Sequence, residues 1–284
     1  MGMRIVAGPS SQLLATKTAA LLGCDIDVTE YKSFPDGEVC CRVTGEVSGN
    51  DIVIIQSTPS DRDIVYLLQL IDACDEAKSL TVVIPYFGYA RQDKRFNAGE
   101  PVSSRAIART ISADRIFTFN IHDPSVLGHF PCRAEELDAA PQLGLHALQM
   151  GLHEPLLLAP DDGALSLVKT AASLTGFPYD YLEKTRLSGY EVKIAPKDLD
   201  VQGKDVVIMD DIVSTGGTIA EATRLLRAIG VRDVHLACVH PVLVRNAVLK
   251  LARASLKSII STDTLEKGTS CISVAPIVAE ALKK

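Results

Sequence analysis

Val206–Thr218 reads V-V-I-M-D-D-I-V-S-T-G-G-T: an apolar run that meets two carboxylates, then hydroxyls and a glycine pair. Each part has a chemical use. Ser214, Thr215, Gly216, Gly217 and Thr218 would offer backbone N–H groups at the start of a helix, where an anion is attracted. Gly216 and Gly217 let the backbone approach that anion closely. Asp210 and Asp211 sit just before the cradle and can accept hydrogen bonds from a diol. A phosphorylated sugar suits this order of groups and a dinucleotide suits it less well; neither G-x-G-x-x-G nor a Walker G-x-x-x-x-G-K-[ST] is present. Composition alone also allows an acidic strand end followed by a capped helix.

Other segments gather polar groups after apolar runs. Ile84–Asn97 contains Y-A-R-Q-D-K, in which Arg91 can grip phosphate with a forked contact, Gln92 can bond a base or sugar edge and Asp93 adds a carboxylate. Phe34–Glu38 is F-P-D-G-E, which by itself reads as a turn on Pro35–Gly37. G-P-S-S occupies Gly8–Ser11, N-I-H-D occupies Asn120–Asp123, A-P-D-D-G occupies Ala159–Gly163 and L-E-K-T-R occupies Leu182–Arg186. Alone, His122 could be structural and Lys184 with Arg186 an exposed basic pair.

Taken together these segments resemble a known family. D-D-I-V-S-T-G-G-T looks like the phosphoribosyl-diphosphate loop of the type I phosphoribosyltransferase fold. Y-A-R-Q-D-K and the other segments, in order, resemble ribose-phosphate diphosphokinase, also called phosphoribosyl diphosphate synthetase, over nearly the whole chain in its short archaeal-like form. The resemblance implies that Asp210, Asp211 and Ser214–Thr218 bind ribose 5-phosphate. It implies that Phe34, Asp36 and Glu38 reach the adenine of ATP in a neighbouring subunit. Arg91, Gln92, Asp93 and His122 would hold ATP in their own subunit. It further implies that His122 and Asp161 serve Mg2+, and that Lys184 and Arg186 are catalytic cations on a mobile loop. Two departures stand out. Asn120 occupies the family's acidic position, and Thr185 replaces a frequent acid; Asp162 receives no role. The implied reaction is ATP-dependent diphosphate transfer to ribose 5-phosphate. A phosphoribosyltransferase of the same fold and a catalytically silent regulatory subunit are the alternatives.

The elements that must position these residues are legible as periodicity. Candidate strands are Arg4–Ala7, Asp51–Ile55, Leu80–Pro85, Arg115–Phe119, Pro155–Ala159, Tyr179–Leu182, Asp205–Met209, His235–Val239 and Ser258–Thr262. Several are rich in Val and Ile without alternation, as buried parallel strands are. Ile64, Leu67, Leu68 and Ile71 form one helical stripe, and Ile219, Ala222, Leu225, Leu226 and Ile229 another that ends at Gly230. This alternation predicts an α/β fold, and the resemblance makes it two tandem type I phosphoribosyltransferase-like domains, each a mostly parallel sheet flanked by helices. The Pro and Gly residues of Leu137–Pro155 suggest a boundary near Asp138–Gly144. That gives domains 1–141 and 142–284, with the last helix able to pack back on the first.

The chain has 284 residues, 47% hydrophobic and 23% charged, the profile of a globular protein. A net charge of -6 argues against a nucleic-acid partner. Seven scattered cysteines without C-x-x-C spacing read as reduced thiols, and no signal-peptide layout or membrane span is seen, so a cytoplasmic location is expected. The shared adenine pocket of the family implies a homo-oligomer, a dimer at least and up to a hexamer.

Overall fold

In a computed structural model the described residues are all except 1, 187–191 and 196–199; for 184–186 and 192–195 only the backbone is described. The chain divides into two compact units. The first comprises Met1–Asp138, Thr264–Glu266 and Ser273–Lys284, and the second Ala139–Asp263 and Lys267–Ile272.

The first unit contains β1 (Met3–Ala7), α1 (Gln12–Leu22), β2 (Asp25–Asp27), β3 (Thr29–Ser33), β4 (Val39–Val43), β5 (Asp51–Ile55), α2 (Asp61–Asp72), β6 (Ser79–Ile84), α3 (Ser103–Ala108), β7 (Arg115–Phe119) and β8 (Arg133–Leu137). In the second are α4 (Ala140–Gln149), β9 (Leu156–Ala159), α5 (Leu165–Thr175), β10 (Tyr179–Tyr181), β11 (Glu183–Arg186), β12 (Val192–Ala195), β13 (Asp205–Ile212), α6 (Gly217–Ala228), β14 (Asp233–His240), α7 (Ala247–Arg253), β15 (Ser258–Thr262) and β16 (Ser270–Ile272). Helix α8 (Ala275–Leu282) returns to the first unit and packs on α1.

The two sheets have one topology. Their orders are β2-β1-β5-β6-β7-β8 and β10-β9-β13-β14-β15-β16, with parallel pairing throughout. In each, an antiparallel hairpin, β3–β4 or β11–β12, follows the second sheet strand. The expected α/β class, with two tandem parallel-sheet units, is therefore the observed one. In such a sheet ligands gather at the carboxyl ends of the strands, where the order reverses. Those points are β1/β5 and β9/β13.

The apolar strands are central because both of their faces are covered. Ile52, Ile54, Val82, Ile84 and Ile116 join Leu67 and Leu70 of α2 in the first unit's core. Leu158, Val206, Ile208, Val234 and Leu236 meet Ile219, Ala222 and Leu226 of α6 and Leu251 of α7 in the second. Each buried Leu or Ile of this kind contributes about 1.5–3 kcal/mol. On α2 the buried positions are Tyr66, Leu67 and Leu70, so the stripe predicted through Ile64, Leu68 and Ile71 is rotated, and those three are half-buried flanks. Ser60 caps α2 by accepting from the Asp63 N–H at 3.3 Å, and Asp61 and Asp63 complement the helix dipole.

Polar strands, missed by the apolar pattern, form at the edges. β8 is R-A-E-E-L, yet it pairs with β7 while Arg115 reaches Glu135 at 2.7 Å and lies over the Phe117 ring at 4.3 Å. All seven cysteines are free thiols. Among the described residues no helix is long and apolar enough to cross a membrane.

Helices α4 and α5 meet at Gly144, where an added Cβ would lie 2.8 Å from the Ala171 carbonyl oxygen. A Gly144→Ala change gains roughly 1 kcal/mol of helix propensity but costs about 1–3 kcal/mol of overpacking against backbone. The clash wins, so the variant is expected to melt at a lower temperature than the wild type in calorimetry. An unchanged or raised Tm would refute this close packing.

Candidate functional site

In the second unit, β13 is buried through Met209 and emerges at Asp210 and Asp211, at the switch point with β9. The Asp210 carboxylate accepts the Asp211 N–H at 3.0 Å, and that of Asp211 accepts the Ile212 N–H at 2.7 Å. Gly216 follows with φ 68°, the left-handed region that favours glycine, and begins α6 without any side-chain cap. A Cβ there would also press on Leu251 at 3.2 Å.

The loop's carbonyls are all tied down from behind. Val213 O accepts the Leu243 N–H at 2.9 Å, Ser214 O the Val244 N–H at 3.0 Å and Thr215 O the Lys250 Nζ at 2.8 Å. With the carbonyls held on one side, the N–H groups face the other. Among the described residues none of the N–H groups of Ser214, Thr215 and Gly216 makes a hydrogen bond. These donors, with the uncapped first turn of α6, form an anion cradle.

Asp161 follows β9 and its carboxylate accepts the Gly163 N–H at 3.1 Å. Burial pushes the Asp210 carboxyl well above its usual range, and the charges of Asp211 and then Asp161 push it further. Acids from the neighbouring ends of β9 and β13 therefore oppose one another, an arrangement that a cation or a hydrogen-bond-donating diol relieves. Among the described residues no cluster of three or more His, Cys, Asp or Glu is placed to cage a metal ion by itself. A hard cation that keeps its waters and shares substrate phosphate needs only one or two such carboxylates.

The same switch point in the first unit is filled. An added Cβ at Gly8 would sit 2.0 Å from Gln56 Oε1, and that oxygen accepts the Ser10 N–H at 3.1 Å. Asp63 accepts from the Ser10 hydroxyl and, at 3.3 Å, from the Gln56 amide. The Ser57 N–H is taken by Ser11 Oγ at 2.9 Å. Here the G-P-S-S loop has its donors satisfied internally.

The first unit's other loops carry the remaining candidates. After β6, Tyr86 and Phe87 are buried and Gly88 is pinned, its N–H donating to Thr58 Oγ1 at 2.9 Å. Arg91 follows, exposed and without an ion pair among the described residues. The Gln92 amide donates within its own loop, to Lys94 O at 3.2 Å and Glu100 Oε2 at 3.4 Å. After β7, Asn120 adopts φ 32° and its amide bonds Asp138 at 2.7 Å. Glu136 accepts the Ile121 N–H at 2.6 Å, which leaves His122 exposed at the loop's crest. Asp123 is held below the usual carboxylate range by Ser125 and, more weakly, by the charges of Lys94 and His122. The loops after β6 and β7 thus converge.

Phe34, Asp36 and Glu38 lie at the exposed tip of the β3–β4 hairpin, where Phe34 N–H donates to Glu38 O at 2.8 Å and Lys32 lies 4.6 Å from the Phe34 ring centre. Among the described residues no hydrogen bond or ion pair joins them to Arg91 or His122. Lys184 and Arg186 lie on β11, paired with Ile194 and Val192, and their side chains lie outside the described part of the structure.

Sequence reasoning missed Glu100, Glu136, Gln56 and Lys250. All four act on backbone atoms of a loop, which no residue spacing announces; only Glu100, eight residues from Gln92, lies close to a motif.

Comparison with known proteins gives a consistent answer. The N-terminal domain of ribose phosphate pyrophosphokinase matches residues 3–114, and the phosphoribosyl transferase domain matches residues 143–271. The ribose-phosphate pyrophosphokinase of Methanosarcina mazei is 58% identical over 280 residues, covering 99% of this chain and 95% of that one. Ribose-phosphate pyrophosphokinase 2 of Archaeoglobus fulgidus is 44% identical over 280 residues, covering 98% and 99%. The crystal structure of phosphoribosylpyrophosphate synthetase from Mycobacterium smegmatis aligns with a TM-score of 0.87 at 29% identity, covering 100% of this chain and 98% of that one.

Glu100 is expected to be the organiser of the loop after β6. Its Oε2 accepts the N–H groups of Phe96 at 2.9 Å and Asn97 at 3.0 Å, and its Oε1 accepts the Asn97 amide at 2.6 Å. The Asn97 amide first, then these N–H groups, hold the carboxyl below its usual 4.5. Because the pKa is depressed, the order persists above pH 4.5 and is lost as pH falls through the lowered value. Hydrogen exchange at Phe96 and Asn97 should be several-fold faster in Glu100→Ala than in the wild type at pH 7; equal rates would sink the assignment.

Proposed function

The chain belongs to the ribose-phosphate pyrophosphokinase family, and from that premise we propose how its residues divide the reaction. The enzyme is a ribose-phosphate diphosphokinase. It transfers diphosphate from ATP to the anomeric hydroxyl of ribose 5-phosphate, giving 5-phosphoribosyl 1-diphosphate and AMP. The anomeric oxygen bonds to the β-phosphorus in line as the bond from that phosphorus to the α-phosphate oxygen breaks. The hydroxyl proton passes to solvent water, and AMP leaves with the electron pair of the broken P–O bond.

The observation that carries the residue assignment is the uncapped start of α6, set directly behind two carboxylates. The sugar's 5-phosphate binds the N–H groups and hydroxyls of Ser214–Thr218, and its 2- and 3-hydroxyls donate to Asp210 and Asp211. The filled β1/β5 switch point of the first unit supports giving the acceptor to the second unit alone. Arg91, Gln92, Asp93 and His122 bind the nucleotide, Arg91 with a guanidinium free to fork onto phosphate. Bonding within the loop lends Gln92 a positioning part as well. Phe34, Asp36 and Glu38 form an exposed hairpin tip, which supports adenine recognition in a neighbouring subunit and hence a homo-oligomer, from a dimer to a hexamer.

Charge accumulates on the transferred group, so fixed cations matter most. Lys184 and Arg186 supply them as the catalytic pair. Mg2+ fits the crowded, hard oxygen donors at the β9/β13 strand ends, where Asp161 would hold it, and His122 would serve Mg2+ on the nucleotide side; when bound it screens the phosphate charge. The reaction uses small soluble substrates and needs neither nucleic acid nor membrane, in keeping with a cytoplasmic enzyme.

A phosphoribosyltransferase would share Asp210–Thr218, but the match of residues 3–114 to the kinase's N-terminal domain disfavours it. A silent regulatory subunit is disfavoured by the presence of Lys184, Arg186, His122 and Asp161 together.

Mixing the protein with ATP, Mg2+ and ribose 5-phosphate should release AMP in step with a new diphosphate ester; diphosphate ester without AMP, or no reaction, would overturn the reading. Lys184→Ala should keep ribose 5-phosphate binding by calorimetry and lose roughly two to three orders of magnitude of turnover, as single donor deletions do. Wild-type turnover in that variant would remove Lys184 from the catalytic pair.

A further inference from the structure

Among the described residues of the first unit, two that carry side chains hold φ in the left-handed region: Asn120 at 32° and Tyr89 at 64°. Each opens the polar stretch of a loop, Asn120 after β7 and Tyr89 after β6. Asparagine enters this region readily, because its short amide can bond nearby. A bulky aromatic residue does so against steric resistance. Outliers of that kind persist where surrounding contacts impose them, and they gather at functional sites.

Backbone contacts fix the approach to Tyr89. The Gly88 N–H donates to Thr58 Oγ1 at 2.9 Å, and a Cβ at Gly88 would lie 2.1 Å from the Thr58 carbonyl oxygen. The chain is thus pressed against the loop that follows β5, and Thr58 is itself fixed by its N–H, which donates to Tyr86 O at 2.8 Å. Beyond Tyr89 the backbone turns at once. The Tyr89 carbonyl accepts the Gln92 N–H at 3.0 Å, with buried Ala90 and exposed Arg91 between them. The dihedral at Tyr89 therefore sets where Arg91 and Gln92 emerge.

Tyr89 is 45% exposed, so burial does not hold it. Its tether is polar: the phenol donates to Asp61 Oδ1, on the first residue of α2. A phenol–carboxylate bond is charge-assisted, and this one pushes the phenol above its ordinary 10, which keeps Tyr89 the donor at neutral pH. Asp61 stands on a fixed base, because the preceding Ser60 caps α2 by accepting the Asp63 N–H. The bond joins the loops that leave two paired strands, β5 and β6.

We propose that Tyr89 and Asp61 are a positioning pair for the nucleotide: their bond holds Tyr89 in the left-handed conformation, and that conformation places Arg91 and Gln92 for ATP. Asp61 acts through Tyr89, and Tyr89 through its backbone. The pair rests on the assignment of Arg91 and Gln92 to ATP under the proposed function.

Steady-state AMP release by the full chain with Mg2+ tests the pair, with ATP and ribose 5-phosphate each varied at saturation of the other. Tyr89→Phe and Asp61→Ala should each raise the KM for ATP about three- to tenfold, the scale of one charged hydrogen bond at an exposed site. The KM for ribose 5-phosphate and kcat should stay within about twofold, as when binding of one substrate alone is weakened. The double variant should be no worse than the poorer single, because the same bond is lost in all three. Asp61→Asn keeps an accepting oxygen and should recover most of the ATP affinity. Tyr89→Gly should retain more ATP affinity than Tyr89→Ala, since glycine reaches φ 64° without strain. The reverse order would mean that the side chain itself meets the nucleotide, and would overturn the pair. A silent Asp61→Ala, additive effects, or an equal rise in both KM values would do the same. Arg91→Ala is the reference for the loop. A wild-type KM for ATP there removes the loop from the nucleotide site, and the pair's role with it. A wild-type KM in Tyr89→Phe beside a raised one in Arg91→Ala overturns the pair alone.

Discussion

The arrangement of the second unit depends on where the backbone carbonyls of Val213, Ser214 and Thr215 point. A peptide has two polar faces, and a loop that turns its N–H groups toward a ligand must satisfy its carbonyls elsewhere. Leu243, Val244 and Lys250 accept that task. Without them the carbonyls would compete for the same space as an incoming phosphate, and like partial charges would face each other. The uncapped α6 then follows as a consequence: its first N–H groups extend the cradle, and a capping side chain at Gly216 would obstruct it.

The same constraint separates two units of identical strand order. Topology places a crevice at β1/β5 as surely as at β9/β13. In the first unit, however, Gln56, Asp63, Ser10 and Ser11 close a network of hydrogen bonds in that crevice. A ligand there would have to displace buried, satisfied polar groups, which costs more than it returns. The first unit therefore offers its other loops, after β6 and β7, where Glu100 and Glu136 hold the backbone and leave Arg91 and His122 exposed. Shared architecture fixes where loops emerge; side chains fix which loop stays open.

That division explains what was legible in the sequence. Buried parallel strands announce themselves as runs of Val, Ile and Leu, so β5, β9, β13 and β14 could be read directly. The D-D-I-V-S-T-G-G-T loop was equally plain, because an anion site at a helix start needs glycine and small hydroxyl residues at set positions. Edge strands were not legible. β2 is D-I-D and β8 is R-A-E-E-L, and what makes them strands is pairing and the Arg115–Glu135 contact rather than composition. The hairpin β3–β4 was hidden for a like reason: Phe34–Glu38 reads as a turn, and only the pairing of Thr29–Ser33 with Val39–Val43 makes it a projecting tip. Lys250 was invisible because its partner is a carbonyl thirty-five residues away.

The electrostatics of the second unit complete the logic. Asp161, Asp210 and Asp211 stand on the ligand side of the loop and oppose one another, while Arg224, Arg245, Lys250 and Arg253 stand behind it. An acidic front would by itself repel any anion. The N–H cradle answers that repulsion locally, through oriented dipoles at contact distance, whereas the cations behind the loop act over a longer range and are weakened by salt. The opposed acids are relieved by a ligand that brings hydroxyls or a cation, and the tethered carbonyls keep the N–H groups of Ser214, Thr215 and Gly216 unpaired among the described residues. The same three hydrogen bonds thus account for both the shape of the cradle and its tolerance of the acids in front of it.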